Sequence, residues 1–158
     1  MTAKVHIGTM GWSYDFWTGN FYPEDTKPDS FLSEYAKHFH TVEVDNTFYR
    51  IPNKDTVIKW REQTPPDFLF SAKFPRRITH EKMLRDCEDS AKFFLERISL
   101  LEDKLGPLLL QFPYAFKLEH IEKDAKKFFN KVSIGKLPGI CCESSGRDAE
   151  LFIATMKP

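Results

Sequence analysis

Residues 41–50 read TVEVDNTFYR, a short β-rich run that ends in polar residues, and the same pattern recurs along the chain. The connections between these runs are too long for hairpins and long enough for crossover helices, as in βα units that build a parallel sheet. The sequence therefore predicts an α/β fold with five parallel strands. They are expected at residues 4–8, 41–44, 68–72, 107–112 and 139–143.

The segments between the runs have the apolar spacing of amphipathic helices. The second is expected to stop at Thr64-Pro65-Pro66, because proline lacks an N–H donor and disfavours helix in the preceding residue. Gly106 has the place of a C-cap for the third helix, and Ser144-Ser145-Gly146 predicts the N-cap of a further helix after the fifth strand. The four predicted helices span about residues 30–39, 54–63, 87–105 and 119–131.

Five βα units fit either a small open sheet or part of an eight-stranded barrel of about 250 residues. A nucleotide-binding open sheet usually has a glycine-rich GxGxxG turn after its first strand. Here residues 8–12 read GTMGW, in which the spacing differs and the tryptophan would block close approach of a pyrophosphate. The residues disfavour dinucleotide binding but leave both architectures open.

Charge and hydropathy exclude several classes of protein. Lys plus Arg (23) equals Asp plus Glu (23), so the chain lacks the basic excess that accompanies broad binding to nucleic acid. There is no apolar run of the roughly 20 residues that cross a bilayer, and the first residues lack the apolar core of a secretory signal. We therefore expect a cytoplasmic protein without membrane contact, whose cysteines Cys87, Cys141 and Cys142 are reduced.

Ionisable and polar residues follow every predicted strand. Carboxyl ends of parallel strands meet at one edge, so these side chains are expected to converge on one mouth. Glu43 would be an acid/base or metal-binding carboxylate, although a charge from Lys73 or Arg50 would make it merely structural. His80 would be a second acid/base group and Lys73 an anion stabiliser, which makes Glu43, His80 and Lys73 the candidate catalytic residues.

A divalent metal is an open alternative at this mouth. Carboxylate and imidazole ligands suit zinc, manganese or magnesium, and Glu43, His80 and Glu143 are the candidate ligands. The sequence has no ligand-spacing motif such as HExxH.

The first βα loop, residues 9–29, is long and rich in aromatic residues. These rings would either stack on a base or a sugar or pack as a lid over the sheet. The expected substrate is small and polar. Its candidate binding residues are Trp12, Tyr14, Trp17, Asn46, Tyr49, Gln111 and Glu143.

Four blocks of this sequence resemble, in order and at similar separations, the YecE-like family (domain of unknown function 72). They read IGTMGWSYDFWTGNFYP, HTVEVDNTFYRIP, FSAKFPRRITHEKMLRDCE and LGPLLLQFPYAF, over about residues 5–116. The resemblance implies a barrel related in shape to xylose isomerase and endonuclease IV, with no established activity or cofactor. We therefore expect residues 1–158 to form a single domain, a TIM-type (β/α) barrel truncated to about five of the eight βα units.

The chain departs from the family after Glu143, where Ser144-Ser145-Gly146 replaces an aromatic residue, arginine and histidine. The family's later half is also missing. A piece of barrel leaves unpaired sheet edges, so self-association through those edges is expected.

Fold analogy suggests a hydrolase or isomerase acting on a small sugar or phosphoester at the C-terminal mouth of the barrel. One alternative is a nucleic-acid binding or processing protein, indicated by exposed aromatic residues and Arg76-Arg77 but not by the net charge. Another is a non-catalytic truncated remnant.

Overall fold

The computed structural model of the chain describes residues 5–113, 118–132, 139–144 and 151–154. These residues form a six-stranded sheet whose strand order follows the chain. The first five strands are parallel, and the sixth is antiparallel to the fifth. The strands are β1 (Thr9–Met10), β2 (Thr41–Val44), β3 (Leu69–Lys73), β4 (Leu105–Phe112), β5 (Ile140–Ser144) and β6 (Leu151–Ala154).

A helix lies in each connection between neighbouring parallel strands, which confirms the predicted α/β fold with five parallel strands. Asn53 caps α2 by accepting a 2.8 Å hydrogen bond from the Thr56 N–H. At the other end of α2, the Lys104 ammonium donates to the Arg61 and Thr64 carbonyls at 2.5 and 2.6 Å. The helices are α1 (Phe31–Tyr35), α2 (Lys54–Glu62), α3 (Glu88–Ile98) and α4 (Leu118–Lys131).

The first strand lies further along the chain than predicted. Val5 and Ile7, expected in a strand over residues 4–8, are 79% and 73% exposed, and pairing with β2 begins at Thr9. The alternating apolar residues 5 and 7 suggest a strand, but pairing with Val42 and Glu43 places it at Thr9–Met10. The predicted bounds of β1 were therefore wrong.

The third helix is shorter than predicted, and Gly106 is not its C-cap. After Ile98 the chain continues as a 3-10 segment, Ser99–Lys104, interrupted at Glu102 by a φ of 54°. Gly106 lies inside β4, where a Cβ would come 3.1 Å from the Phe70 carbonyl oxygen of β3. Glycine is used here because β3 and β4 approach closely, and not because a helix ends.

The helix predicted to begin at Ser144-Ser145-Gly146 falls on residues that the structure does not describe. Ser144 is the last residue of β5, and the next described element is the antiparallel strand β6. Residues 145–150, which include Ser145 and Gly146, lie outside the described residues. In the described part of the chain, the sheet is open and its edge strands are β1 and β6.

Alternate residues of the central strands divide the sheet into a buried and a partly exposed face. Val42, Val44, Phe70, Ala72 and Leu108 belong to the hydrophobic core that also includes residues of α1, α2 and α3. On the opposite face, Glu43, Ser71 and Gln111 are half-buried. The candidate polar residues of the strands therefore lie on the face opposite the core.

Cys87 and Cys142 are buried, and no disulfide links the described cysteines. Burial raises the pKa of Cys87 and of Cys142 to about 11, so both are protonated near pH 7. Cys141 is half-buried. That the three cysteines are reduced in the cell stays a prediction.

Within the described residues, no helix has the length and hydrophobicity needed to cross a membrane.

Candidate functional site

A largely buried ion pair lies at the carboxyl ends of β2 and β3. Lys73, the last residue of β3, has a side chain that is only 10% exposed, and its Nζ lies 3.0 Å from Oδ1 of Asp45. Asp45 directly follows β2 and begins a 3-10 turn, Asp45–Phe48. The Lys73 ammonium also lies 5.1 Å from the centre of the Phe48 ring. The turn after β2 therefore places a carboxylate and an aromatic ring against this cation.

The buried side chain of Thr47 fixes this turn by hydrogen bonds to the backbone. It is fully buried, and its hydroxyl lies 2.8 Å from the Val44 carbonyl oxygen and 2.7 Å from that of Lys73. One hydroxyl proton serves both acceptors, so the bond is shared between the end of β2 and the end of β3. Thr47 is thus a positioning residue for the Asp45–Lys73 pair.

His80 lies in the connection from β3 to α3, within a π-helical turn at Arg77–Glu81. Its Nδ1 is 2.9 Å from the Thr79 hydroxyl, and its ring meets the Phe48 ring edge-on at 5.0 Å. Partial burial lowers the pKa of His80, and the positive charges of Arg76 and Lys73 lower it further. The imidazole is therefore neutral near pH 7, and the single ring of Phe48 contacts both His80 and the Lys73 ammonium.

This pKa shift predicts how stability changes with pH. The folded-state pKa of His80 lies below its ordinary value of 6.5, so the unfolded chain binds more protons in the interval between the two. The contribution of His80 to stability is therefore fully present above about pH 6.5 and is lost as the pH falls toward the folded-state pKa. The free energy of unfolding, measured by urea unfolding between pH 7.5 and pH 5, should therefore fall less steeply with decreasing pH in His80→Gln than in wild type.

The exposed histidine His6 provides the control, because His6→Gln removes an imidazole that is not buried. An NMR titration gives the pKa of His80 directly. A value at or above 6.5 would contradict the predicted burial and charge environment.

The aromatic first loop packs largely on itself and on the core. Trp17 stacks parallel to Tyr35 with ring centres 6.3 Å apart, and Trp12 meets the ring of Trp60 edge-on at 5.5 Å. The Tyr22 hydroxyl donates a 2.6 Å hydrogen bond to the Trp12 carbonyl. Burial raises the pKa of Tyr22 above its usual range, which keeps this donor protonated. These contacts support the alternative in which the loop covers the fold.

A cleft of about 240 Å³ remains between this loop and the turn after β2. Its walls include Trp12, Tyr14, Asn46 and Tyr49, four of the predicted substrate-binding residues, together with Asp45. The Gly11 N–H donates a 2.9 Å hydrogen bond to the Glu43 carbonyl, which holds the loop against β2. The structure thus brings the first loop and the Asp45–Lys73 pair to the same edge of the sheet.

The other predicted residues are not among the described residues that line this cleft, and these include Lys73 and His80. Trp17 and Gln111 are not among the described residues that line it. Glu43 is half-buried on β2, paired in register with Met10 and with Ser71. Gln111 pairs in register with Glu143 across β4 and β5.

The predicted metal triad of Glu43, His80 and Glu143 stays a prediction. No three His, Cys, Asp or Glu side chains among the described residues form a group that could hold a metal ion. The Glu143 side chain lies outside that description.

Sequence reasoning missed Asp45 and Thr47 as site residues. Both lie in the stretch TVEVDNT, and the position of Asp45 directly after β2 was the available signal. Their importance depends on a hydrogen bond and an ion pair to a residue 26 or 28 positions away, which the local sequence does not reveal.

Comparison with known proteins finds relatives that match about 70% of this chain. UPF0759 protein YecE of Escherichia coli K12 is 39% identical over 112 residues, which is 71% of this chain and 39% of the relative. UPF0759 protein YunF of Bacillus subtilis is 31% identical over 116 residues, or 69% of this chain and 40% of the relative. The chain therefore matches about two fifths of the length of these curated relatives.

Solved structures of DUF72 family proteins are also similar to this chain. A DUF72 family protein from Thermotoga maritima aligns with a TM-score of 0.70 at 31% identity, covering 88% of this chain and 55% of that one. A second, from Enterococcus faecalis, aligns with a TM-score of 0.65 at 28% identity, covering 87% of this chain and 49% of that one. The model of the family described as "Protein of unknown function DUF72" matches residues 6–137. The chain belongs to the DUF72 (UPF0759) family.

Proposed function

We propose that the chain is a single, incomplete domain comprising about five-eighths of a (β/α)₈ barrel. Five parallel strands in chain order, each joined to the next through a helix, are the arrangement of such a barrel. The chain also covers 55% of the related Thermotoga maritima structure. The remaining strands would come from further sequence or from a second copy that associates through the β1 and β6 edges.

We infer that the mouth of this barrel is the active site of a hydrolase or isomerase that acts on a small sugar or phosphoester. The observation that supports this most is the shared contact of Phe48 with the Lys73 ammonium and the neutral His80 imidazole. A neutral imidazole can take a proton from a substrate hydroxyl or from water and return it to a leaving oxygen. Lys73 would stabilise the anion that forms, with Asp45 fixing its position.

The remaining candidates have supporting roles in this proposal. Glu43 is a second carboxylate for acid/base work or for a divalent metal, with Glu143 as a further ligand. Trp12, Tyr14, Asn46 and Tyr49 bind the substrate in the cleft of about 240 Å³. Trp17 from the same loop and Gln111 from β4 are the further binding residues of this proposal.

The test is turnover of defined compounds by the full chain. Glucose 6-phosphate, ribose 5-phosphate and p-nitrophenyl phosphate, with and without Mg²⁺, Mn²⁺ or Zn²⁺, cover ester hydrolysis and aldose–ketose isomerisation. We expect Lys73→Met and His80→Gln each to lower the rate at least about tenfold, since loss of a general acid/base costs this much or more.

Lys92→Gln is the control, because Lys92 is exposed on α3. Equal rates in wild type, Lys73→Met and His80→Gln would place the reaction elsewhere. Absence of turnover by wild type would contradict both proposed reaction classes. Metal-dependent turnover that Glu43→Gln abolishes would support the metal alternative.

A further inference from the structure

A second, larger cleft of about 650 Å³ lies between the loop after β2 and the connection from β3 to α3. Three arginines line it, Arg50, Arg76 and Arg77, and all three are exposed. Two aromatic residues, Tyr49 and Phe93, complete the relevant lining and are 75% and 48% exposed. Large exposed aromatic rings in a concave site are characteristic of binding surfaces.

The charges in this arginine cleft leave a positive excess. Its two carboxylates, Glu81 and Asp89, face three guanidinium groups. The ion pair within the cleft is loose, since Arg76 Nε lies 3.9 Å from Glu81 Oε1 and both side chains are more than half exposed. Such a pair gains little in water and leaves the guanidinium group available to an incoming anion.

The positive potential extends to neighbouring groups. The charge of Arg76 is one of the causes that lower the pKa of His80, after partial burial of that ring. On the far side, the Lys73 ammonium lies against Phe48, whose side chain also lines the cleft. Since Asp45 pairs with Lys73, the attraction for an anion in the cleft comes chiefly from the three arginines that line it.

The two kinds of side chain select a particular ligand chemistry. Guanidinium groups offer parallel N–H donors that match two oxygens of a phosphate. Tyr49 and Phe93 offer flat faces for an aromatic ring, and the Arg97 guanidinium lies 5.0 Å from the centre of the Phe93 ring. A cleft that offers both kinds of side chain fits a ligand that has a phosphate group and an aromatic ring.

We propose that the arginine cleft binds a phosphate ester of a flat ring system, of the size of a nucleoside monophosphate. A volume of about 650 Å³ suits such a ligand. The balance of 23 basic against 23 acidic residues argues against a long phosphate backbone as the ligand. Lys73 and His80 are not among the described residues that line the cleft, although Tyr49 lines both this cleft and the smaller one of the proposed reaction.

Calorimetric titration of the full chain with adenosine 5′-monophosphate and with inorganic phosphate tests this proposal. We expect the nucleotide to bind more tightly than phosphate. The double variant Arg50→Gln/Arg77→Gln should lower the affinity for the nucleotide at least tenfold. Phe93→Ala should lower the affinity for the nucleotide and leave that for phosphate unchanged.

The control, Lys92→Gln/Lys127→Gln, removes the same charge from exposed positions outside the cleft and should bind like wild type. Circular dichroism establishes that each variant is folded. Unchanged nucleotide affinity in the arginine variant, or no binding of nucleotide by wild type, would overturn the proposal. If wild type binds a strand of ten thymidine nucleotides but does not bind adenosine 5′-monophosphate, the proposal is also overturned, in favour of nucleic acid as the ligand.

Discussion

Replacing Tyr35 by phenylalanine is expected to lower the free energy of unfolding by about 1–3 kcal/mol, the cost of leaving buried polar groups without a partner. The Tyr35 hydroxyl is fully buried and accepts a 2.8 Å hydrogen bond from the Thr9 N–H. It donates to the Thr41 carbonyl at 2.9 Å. The Thr9 hydroxyl also lies 3.0 Å from this oxygen. A single oxygen on α1 therefore joins the beginnings of β1 and β2, and phenylalanine keeps the ring but loses all three contacts.

Urea unfolding followed by circular dichroism measures this change. The matched control is Tyr49→Phe, since Tyr49 is 75% exposed and the loss of a solvated hydroxyl should change stability by less than about 0.5 kcal/mol. A loss in Tyr35→Phe no larger than that in Tyr49→Phe would mean that water replaces the missing hydroxyl at the edge of β1.

The sequence predicted the central strands well because local and tertiary signals agree there. The predicted residues 41–44 coincide with β2, and the apolar residues 107–112 lie within β4. In both strands the buried face requires β-rich apolar side chains, and a polar residue marks the carboxyl end. Where burial and strand pattern coincide in this way, the sequence alone was sufficient.

The errors occur where a distant contact decides the structure. The apolar residues Val5 and Ile7 look like a strand, but pairing with Val42 begins only at Thr9. Likewise, Gly106 looks like the end of a helix until the approach of the Phe70 carbonyl is known. The pattern of residues in a short stretch of sequence does not reveal such contacts with distant residues.

The sequence predicted some of the residues that lie at the candidate site, but not which of them contact each other. Lys73 and His80 were identified because they follow the strand predicted at residues 68–72, and the structure places both against Phe48. The partner of Lys73 in the turn after β2, Asp45, was not identified. The rule that polar residues gather at carboxyl ends of strands predicts which edge holds a site, whereas the ion pair depends on the shape of one turn.

Gly8→Ala is expected to destabilise the chain by about 3 kcal/mol or more, at the upper end of the cost of overpacking. A Cβ on Gly8 would lie 2.1 Å from the Thr41 carbonyl oxygen and 2.8 Å from its carbon. Backbone atoms cannot move aside as a flexible side chain can, so β1 would have to separate from β2. The hydrogen bond from the Gly11 N–H to the Glu43 carbonyl, 2.9 Å long, would then be lost.

Two measurements distinguish this clash from the ordinary cost of replacing a glycine. Gly19→Ala is the control, because Gly19 has a φ of +81° but no atom within 4 Å of its Cβ position, so only backbone strain of about 1 kcal/mol is expected. Amide hydrogen exchange then reports the Gly11 N–H, which should lose protection in Gly8→Ala and keep it in Gly19→Ala. Equal stability and equal protection in the two variants would show that β1 does not lie this close to β2. A larger loss of stability and of Gly11 protection in Gly8→Ala would instead establish that the absence of a side chain at Gly8 allows the first loop to form one wall of the candidate site.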